Sequence, residues 1–160
     1  MEGFANVITY RKATPSDSEK LTQLRMQNTE NHTTDNPSYD RQSLYKSVFN
    51  HFSSHISDGL LITWLACNKS DIIATSGLTF LAVTPSPSDM TGKTGYITNM
   101  YTCPNYRRQG IARKLLQLTL DEAKLQKCGR IVLYGTTMAN PLYTQFGFQD
   151  SHGYMTLKLV

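Results

Sequence analysis

The sequence predicts one globular domain with the fold of an α/β sandwich and a mixed β-sheet, and three observations support this prediction. First, strand-like and helix-like segments follow each other in the order β, α, α, a β-hairpin, and then β, α, β, α, β. Second, a length of 160 residues suits one domain, which we place at residues 1–160. Third, 39% hydrophobic and 18% charged residues are ordinary for a soluble globular protein with a sizeable core.

The first third of the chain predicts one strand and two helices. Residues 7–12 alternate weakly between apolar and polar side chains, which is typical of a strand. Thr14 followed by Pro15 predicts an N-cap and a first-turn proline for the first helix. A polar stretch, residues 28–40, separates this helix from a second one at about Arg41 to Ile56. The apolar face of the second helix comprises Leu44, Tyr45, Val48, Phe49, Phe52 and Ile56.

A β-hairpin and a further strand are predicted next. Gly59 ends the second helix, and residues 60–83 predict two strands joined by a turn at 68–71. Residues 84–95 are rich in turn-forming residues and predict an exposed, mobile connection. This connection leads to the fourth strand, at Tyr96 to Thr102.

The last part of the chain predicts a long helix, a strand, a short helix and a final pair of strands. The long helix is predicted to begin at Gly110 and to end at Gly129. Residues 130–134 predict a strand, and a short helix follows at about Pro141 to Phe146. The final strand pair is predicted to end at Leu159. The predicted inward face of the long helix comprises Ile111, Leu115, Leu118 and Leu125.

The segment that leads into the long helix predicts an anion-binding site. It reads Tyr-Arg-Arg-Gln-Gly-Ile-Ala-Arg over residues 106–113. A helix that begins without a capping side chain leaves backbone N–H groups free at the positive end of its dipole, and an anion satisfies them. Gly110 permits a close approach of the ligand, Ala112 keeps the first turn narrow, and three arginines add positive charge. We therefore predict a phosphate-binding helix N-terminus here.

Two motifs resemble those of the GNAT superfamily of N-acetyltransferases. The order Arg107-x-x-Gly110-x-Ala112 resembles the acyl-CoA pyrophosphate signature of that family. Downstream, residues 141–148 (Pro-Leu-Tyr-Thr-Gln-Phe-Gly-Phe) resemble its Tyr-x-x-x-Gly-Phe segment. Residues 8–17 also look like the family's first strand running into its first helix, so the resemblance covers nearly the whole chain.

The resemblance implies a more specific fold and a cosubstrate. The fold is a three-layer sandwich with about four helices and a mixed, mostly antiparallel sheet of six to seven strands. The fourth and fifth strands splay apart and admit the pantetheine arm of acyl-CoA. The implied cosubstrate is acetyl-CoA, held by the end of the fourth strand and by the helix N-terminus. The residues implied to contact it are Met100, Tyr101, Thr102, Arg107, Arg108, Gln109, Gly110, Ile111, Ala112 and Arg113.

The resemblance further implies direct transfer of an acetyl group to a primary amine, without an acyl-enzyme. The backbone amide of Met100 is implied to donate to the thioester oxygen as negative charge develops there. Tyr143 is implied to act as the general acid that protonates the departing thiolate. Family members often have an asparagine seven positions before this tyrosine, where this chain has Thr136. We interpret Asn140, which precedes a proline, as an N-cap instead.

The sequence does not identify the general base. Some family members carry a glutamate on the fourth strand, but residues 96–102 contain no carboxylate. Asn99 cannot accept a proton at useful pH, and we keep it as a candidate substrate contact together with Glu30 and Asp35. The acceptor amine could lose its proton either to ordered water or to an acid of the polar stretch, namely Glu30, Asp35 or Asp40. A plain surface role for all three acids also stays open.

The net charge and the apolar segments of the chain indicate which kinds of binding partner to expect. Sixteen basic against twelve acidic residues give a net charge of +4. Four of the basic residues belong to the predicted anion site: Arg107, Arg108, Arg113 and Lys114. The excess of positive charge is therefore local, and we predict no nucleic-acid partner. The longest apolar run, residues 60–67, is too short to span a bilayer, and we predict no membrane partner. A homodimer is left open.

Cysteines and histidines predict a reducing environment and no metal. Cys67, Cys103 and Cys128 are odd in number and widely spaced, which argues against a disulfide framework and favours a cytoplasmic location. His51 and His55 are four residues apart on the second helix, as two metal ligands would be, but no third ligand is evident. We predict that both histidines lie at the border of the core.

Two alternatives to an enzyme stay open at this point. The missing strand carboxylate favours a GNAT-fold module that binds acyl-CoA without turnover. The basic excess leaves a nucleic-acid-binding domain as a third and weaker reading. For an enzyme, the acceptor is a polyamine-like or amino-acid-like amine, an antibiotic, or an amine of a protein, and the sequence does not choose among them.

Overall fold

The computed structural model of the protein describes residues 7–32, 39–151 and 156–157, and within them it contains five strands and four α-helices. The strands are β1 Ile8–Lys12, β2 Leu61–Asn68, β3 Asp71–Ala82, β4 Lys93–Thr102 and β5 Arg130–Leu133. The helices are α1 Ser18–His32, α2 Arg41–Ser57, α3 Ile111–Leu125 and α4 Asn140–Gln145. Single 3₁₀ turns, Pro15–Asp17 and Pro104–Tyr106, precede α1 and α3.

The strands form one mixed sheet in sequence order, β1-β2-β3-β4-β5. All neighbours are antiparallel except β4 and β5, which run parallel because α3 crosses over between them. This confirms the mixed, mostly antiparallel sheet, although five described strands are fewer than the six to seven predicted. The predicted final strand pair lies largely outside the described residues, and residues 156–157 form no regular structure.

Helices cover both faces of this sheet, as the three-layer prediction requires. On one face, Leu21 of α1 and Phe52 of α2 join a core cluster with Leu61 and Leu65 of β2. On the other face, the buried residues of α3 pack on β2, β3 and β4 and on Tyr143 of α4. The core is thus divided by the sheet into two apolar layers, since both faces of the central strands are covered.

Side-chain caps define where the first two helices begin. Thr14 is the N-cap of the turn before α1, and Asp17 completes a capping box by accepting from the Thr14 amide at 2.8 Å. Asp40 caps α2 by accepting from the amides of Gln42 and Ser43. The predicted polar connection at 28–40 is too long, because α1 continues to His32.

The predicted end and inner face of α3 need correction. The helix ends at Leu125 rather than Gly129, with Lys127 in the left-handed region (φ 58°). The Cys128 amide donates to Ala123 O at 3.0 Å and the Lys127 amide donates to Lys124 O at 2.9 Å, which is a Schellman motif built without glycine. Leu125 is 75% exposed, so it does not belong to the buried face. The buried residues are Ile111, Leu115, Leu116, Thr119, Glu122 and Ala123.

Gly129 has a different role from the one its position in the sequence suggests. A Cβ atom there would stand 1.9 Å from Oδ1 of Asp89. Asp89 is buried in the β3–β4 connection, where it accepts from the amide and hydroxyl of Thr91. The connection is shorter than predicted because β4 begins at Lys93. Gly129 is therefore required by the packing of a distant loop, which local sequence does not reveal.

Candidate active site

At the edge of the described sheet, the pairing of the parallel strands β4 and β5 stops partway along β4, where the splay was predicted. Their last pair is Ile97 with Leu133, and β5 ends there, whereas β4 continues to Thr102. On its other side β4 stays paired with β3 up to Thr102, opposite Ala74. The end of β4 therefore presents backbone groups to the gap beyond the end of β5, where an extended ligand can pair with them.

A β-bulge lies at the point where β4 leaves β5. The register places Thr75 opposite Tyr101 but Gly77 opposite Thr98, so β4 has one extra residue. Asn99 adopts a left-handed backbone conformation (φ 51°), and its carbonyl accepts a 2.6 Å hydrogen bond from Oγ1 of Thr75. Non-glycine residues rarely adopt this conformation. The hydrogen bond from the Thr75 side chain stabilises it, so the bulge is a defined feature of the fold and not an irregularity of the strand.

The bulge changes which side chains face α1 and α2. Tyr96 and Thr98 line a cleft on that face, and after the bulge Asn99 and Tyr101 line the same side of the sheet. Met100 instead packs in the clusters that contain α3 and Tyr143. Thus the predicted substrate contact, Asn99, faces the cleft, while the Met100 side chain is anchored in the opposite layer.

The N-terminus of α3 has the features of an anion site. Gly110 is its N-cap in a left-handed conformation (φ 79°), and no side chain of the described part caps the helix. A Cβ atom at Gly110 would meet nothing within 4 Å, so the space before the helix is open. The first intrahelical hydrogen bond runs from the Lys114 amide to Gly110 O, which leaves the amides of Ile111, Ala112 and Arg113 ahead of it.

The four basic residues around this N-terminus make different contacts. Arg107 donates from Nε to Thr102 O at 3.0 Å, so it ties the N-terminal loop to the end of β4. Arg113 donates to Gln145 of α4 and lies 5.5 Å from the centroid of the Phe146 ring. Arg108 and Lys114 are exposed, and no ion pair within residues 7–32 and 39–151 involves any of the four. Their positive charge is available to an anion.

Tyr143 projects from the short helix α4 into the layer between α3 and the sheet. It is 5% exposed, and its ring packs edge-on to Phe148 with centroids 5.8 Å apart. Burial raises the pKa of its phenol above the ordinary 10.0, so it is protonated at neutral pH. The predicted N-cap role of Asn140 is wrong: Ala139 is the N-cap, and the Asn140 side chain lies against Gly135.

A cleft of about 460 Å³ lies between α1, α2 and β4. Its walls include Arg25 of α1, His51 and Phe52 of α2, and the bulge residue Asn99. A smaller cavity adjoins it and shares Arg25, Phe52 and Asn99. This volume is within the range of small-molecule sites.

His51 lies in this cleft and not at the border of the core as predicted. It is exposed, and its ring lies 4.1 Å from that of His55, centroid to centroid. Partial burial, and then the neighbouring His55, lower the pKa of His51 below the ordinary 6.5, so the ring is neutral at pH 7. Neither His51 nor Arg25 was predicted from the sequence to line a cleft. The sequence did contain one indication for His51, because it directly precedes Phe52, a residue of the predicted apolar face of α2.

The carboxylates considered as bases are engaged elsewhere or lie outside the described residues. Glu30 accepts from Arg41 Nε at 2.7 Å. Asp40 caps α2, and hydrogen bonds, first from the Ser43 hydroxyl, lower the pKa of its carboxyl. Asp35 lies outside the described residues. The described walls of the cleft contain no Asp or Glu.

Three further observations concern metals, cysteines and membranes. Among the residues that the structure describes, no group of three or more His, Cys, Asp or Glu side chains is arranged to hold a metal ion. The three cysteines are unpaired thiols. Within the same residues, no helix combines the length and the apolar character needed to cross a membrane.

Comparisons with known proteins agree with the fold. A model of the acetyltransferase (GNAT) family matches residues 21–148. The chain therefore belongs to the GNAT acetyltransferase family, as the two motifs predicted. None of the curated proteins compared matches this chain.

Solved structures extend this result. A predicted acetyltransferase with acetyl-CoA from Clostridium acetobutylicum is 31% identical over 96% of this chain and 97% of that one, with a TM-score of 0.87. A GCN5-related N-acetyltransferase from Ralstonia eutropha is 22% identical over 95% and 99%, with a TM-score of 0.81. Glucosamine-6-phosphate N-acetyltransferase from Arabidopsis thaliana is 16% identical over 96% and 99%, with a TM-score of 0.70. The last two likenesses concern the fold alone.

Proposed function

We propose that this protein is an N-acetyltransferase that uses acetyl-CoA to acetylate a primary amine directly. The observation that supports this most strongly is the open N-terminus of α3 beside the gap between β4 and β5, in a chain of the GNAT family. A diphosphate requires unpaired amides and positive charge, and both are present there. An acyl-enzyme is not required, because the cleft and the gap meet at the same stretch of β4.

The residues of this chain fit acetyl-CoA along a continuous path. The amides of residues 110–113, with Arg108 and Lys114, would hold the diphosphate. The backbone of Met100, Tyr101 and Thr102 would pair with the pantetheine arm, because β5 ends before it reaches this part of β4. Acetyl-CoA supplies an activated acyl group attached to a good leaving group.

Two groups are positioned to assist acyl transfer. The Met100 amide lies in the bulge, and it would donate to the oxygen on which negative charge develops. Tyr143 shares an apolar cluster with Met100, and its protonated phenol would donate to the departing sulfur. Exclusion of water by this cluster strengthens both interactions.

His51 is our candidate for the proton acceptor. It lies in the cleft with Asn99, it is neutral at pH 7, and no described carboxylate lines the cleft. An imidazole whose pKa is lowered from the ordinary 6.5 is unprotonated at pH 7 and can take the proton that the amine loses. His51 would thereby fill the role that a strand glutamate has in other members of the family.

The test is release of free thiol from acetyl-CoA in the presence of a panel of amines. We expect release that depends on both the protein and the amine, with an N-acetylated product detected by mass spectrometry. Tight binding of acetyl-CoA with no release on any amine would instead support the non-catalytic acyl-CoA-binding module. Absence of binding would contradict both.

A further inference from the structure

The cleft has an unbalanced charge. Among the described residues that line it, Arg25 is the only one with a fixed charge. The other polar residues of its walls are neutral: Ser47, His51, Thr79, Tyr96, Thr98 and Asn99. Arg25 also borders the smaller adjoining cavity, so it stands where the two spaces meet. A cation in a partly enclosed space attracts anions and repels cations.

No described acidic side chain neutralises Arg25. The next acid along α1, Glu30, pairs with Arg41. Glu19, six residues before Arg25 on α1, accepts from the hydroxyl of Tyr45. The other ion pairs of the described residues lie at Arg11, Lys12 and Lys124, away from the cleft. Within residues 7–32 and 39–151, no ion pair therefore engages the Arg25 guanidinium, which can donate to a ligand.

These observations bear on the acceptor. A guanidinium binds the two oxygens of a carboxylate or phosphate with two parallel hydrogen bonds, which gives both affinity and orientation. Asn99, at the bulge where acetyl transfer is proposed, lines the same cleft and the same smaller cavity as Arg25. An acceptor whose anionic group binds Arg25 would therefore lie next to the bulge.

We propose that the acceptor is an amine that also carries a carboxylate or phosphate group, and that Arg25 binds this anionic group. This inference rests on the proposed acetyltransferase function and narrows its substrate class. Amino-acid-like and phosphorylated amines fit the cleft, whereas polyamines and other polycations do not.

The test uses pairs of similar acceptors of which only one carries an anionic group. The pairs are leucine with leucinamide, γ-aminobutyrate with butylamine, and phosphoethanolamine with ethanolamine, and putrescine is added as a polycation. Thiol release from acetyl-CoA gives kcat/KM for each acceptor. We expect the anionic member of at least one pair to be preferred by about tenfold or more, since hydrogen bonds to charged groups discriminate at this level. The carboxylate and phosphate pairs distinguish the two sources of the anion.

Arg25→Gln is the informative variant. It should lower kcat/KM for the preferred anionic acceptor by about 10- to 100-fold and leave the neutral acceptor nearly unchanged. Arg25→Lys should be intermediate, because it keeps the charge but loses the paired geometry. Lys46→Gln is the matched control, since Lys46 is exposed on α2 and does not line the cleft.

The outcomes separate this inference from the proposed function. Thiol release on none of the amines would count against the function itself. Release with equal or better use of butylamine or putrescine would overturn the inference alone. An equal loss for neutral and anionic acceptors in Arg25→Gln would also overturn it, because Arg25 would then only shape the cleft.

Discussion

Tyr143 combines a buried ring with a hydroxyl that makes no hydrogen bond to any other described residue. Its role can therefore be tested without a large change in packing. We expect Tyr143→Phe to lower kcat about a hundredfold, which is the usual contribution of a general acid. The melting temperature and acetyl-CoA affinity should change little. Steady-state kinetics and a binding titration measure these quantities, and an unchanged kcat would remove the proposed role.

The proposed role of His51 as proton acceptor predicts how kcat/KM depends on pH. Protonation removes its ability to accept a proton, so kcat/KM of the wild type should fall as the pH drops through the lowered pKa of His51. His51→Gln should reduce the rate and abolish this acid limb. His55→Gln is the matched control: the positive charge of His55 lowers the pKa of His51, so its loss should shift the limb to higher pH. A limb that persists in His51→Gln would exclude this base.

At the scale of elements, the beginning of α3 has an open space that glycine preserves. Gly110→Ala should cost about 1 kcal/mol of folding stability, because alanine disfavours the left-handed region. It should also weaken acetyl-CoA binding at least about tenfold, because the added methyl group enters the space before the helix.

Gly59 is a matched control for this experiment. It has a similar backbone (φ 70°), and a Cβ atom there would also meet nothing within 4 Å, but it lies after α2. Gly59→Ala should lose similar stability with no change in affinity for acetyl-CoA. Equal affinities in the two variants would contradict a diphosphate site at α3.

The start of α1 depends on a charged contact with β1. Arg11 donates two hydrogen bonds to Asp17, at 2.7 and 2.8 Å. These bonds first, and then the Thr14 amide, lower the pKa of Asp17 from 3.8 to about 2. Because the folded state favours the carboxylate, the stabilisation is complete above about pH 4 and is lost as the pH falls toward 2.

We therefore expect Asp17→Asn to lower the free energy of unfolding by roughly 1–2 kcal/mol at pH 7, and by much less near pH 2. Urea unfolding at several pH values measures this difference. Asp121→Asn is the control, because the ion pair of Asp121 with Lys124 is exposed and long, at 3.7 Å, and should contribute little to stability. A deficit of Asp17→Asn that does not vary with pH would show that the pair is not responsible.

At the scale of the whole molecule, the cosubstrate would connect α3 with the end of β4. A ligand that binds only the folded state stabilises it, by about 2.7 kcal/mol at 100 times Kd. For a chain of this size we expect acetyl-CoA to raise Tm by roughly 5–10 °C. Acetyl-pantetheine, which lacks the diphosphate, should raise it much less. Equal shifts with both compounds in a thermal-unfolding assay would contradict the assignment of the α3 N-terminus.

The sequence by itself determined the features that depend on neighbouring residues. The order of elements follows from local periodicity, and the N-terminus of α3 follows from an uncapped glycine before an amphipathic helix. These local signals, together with the two motifs, were enough to identify the family.

Only the tertiary structure decided the features that depend on contacts between distant segments. The bulge at Asn99 is set by the register of β4 on β3, and Gly129 is required by Asp89 from another loop. The cleft exists because α1 and α2 pack over β4, which brings Arg25 and His51 to face Asn99. Side-chain identity at one position carries no information about which remote segment will pack against it, and packing of that kind made the cleft.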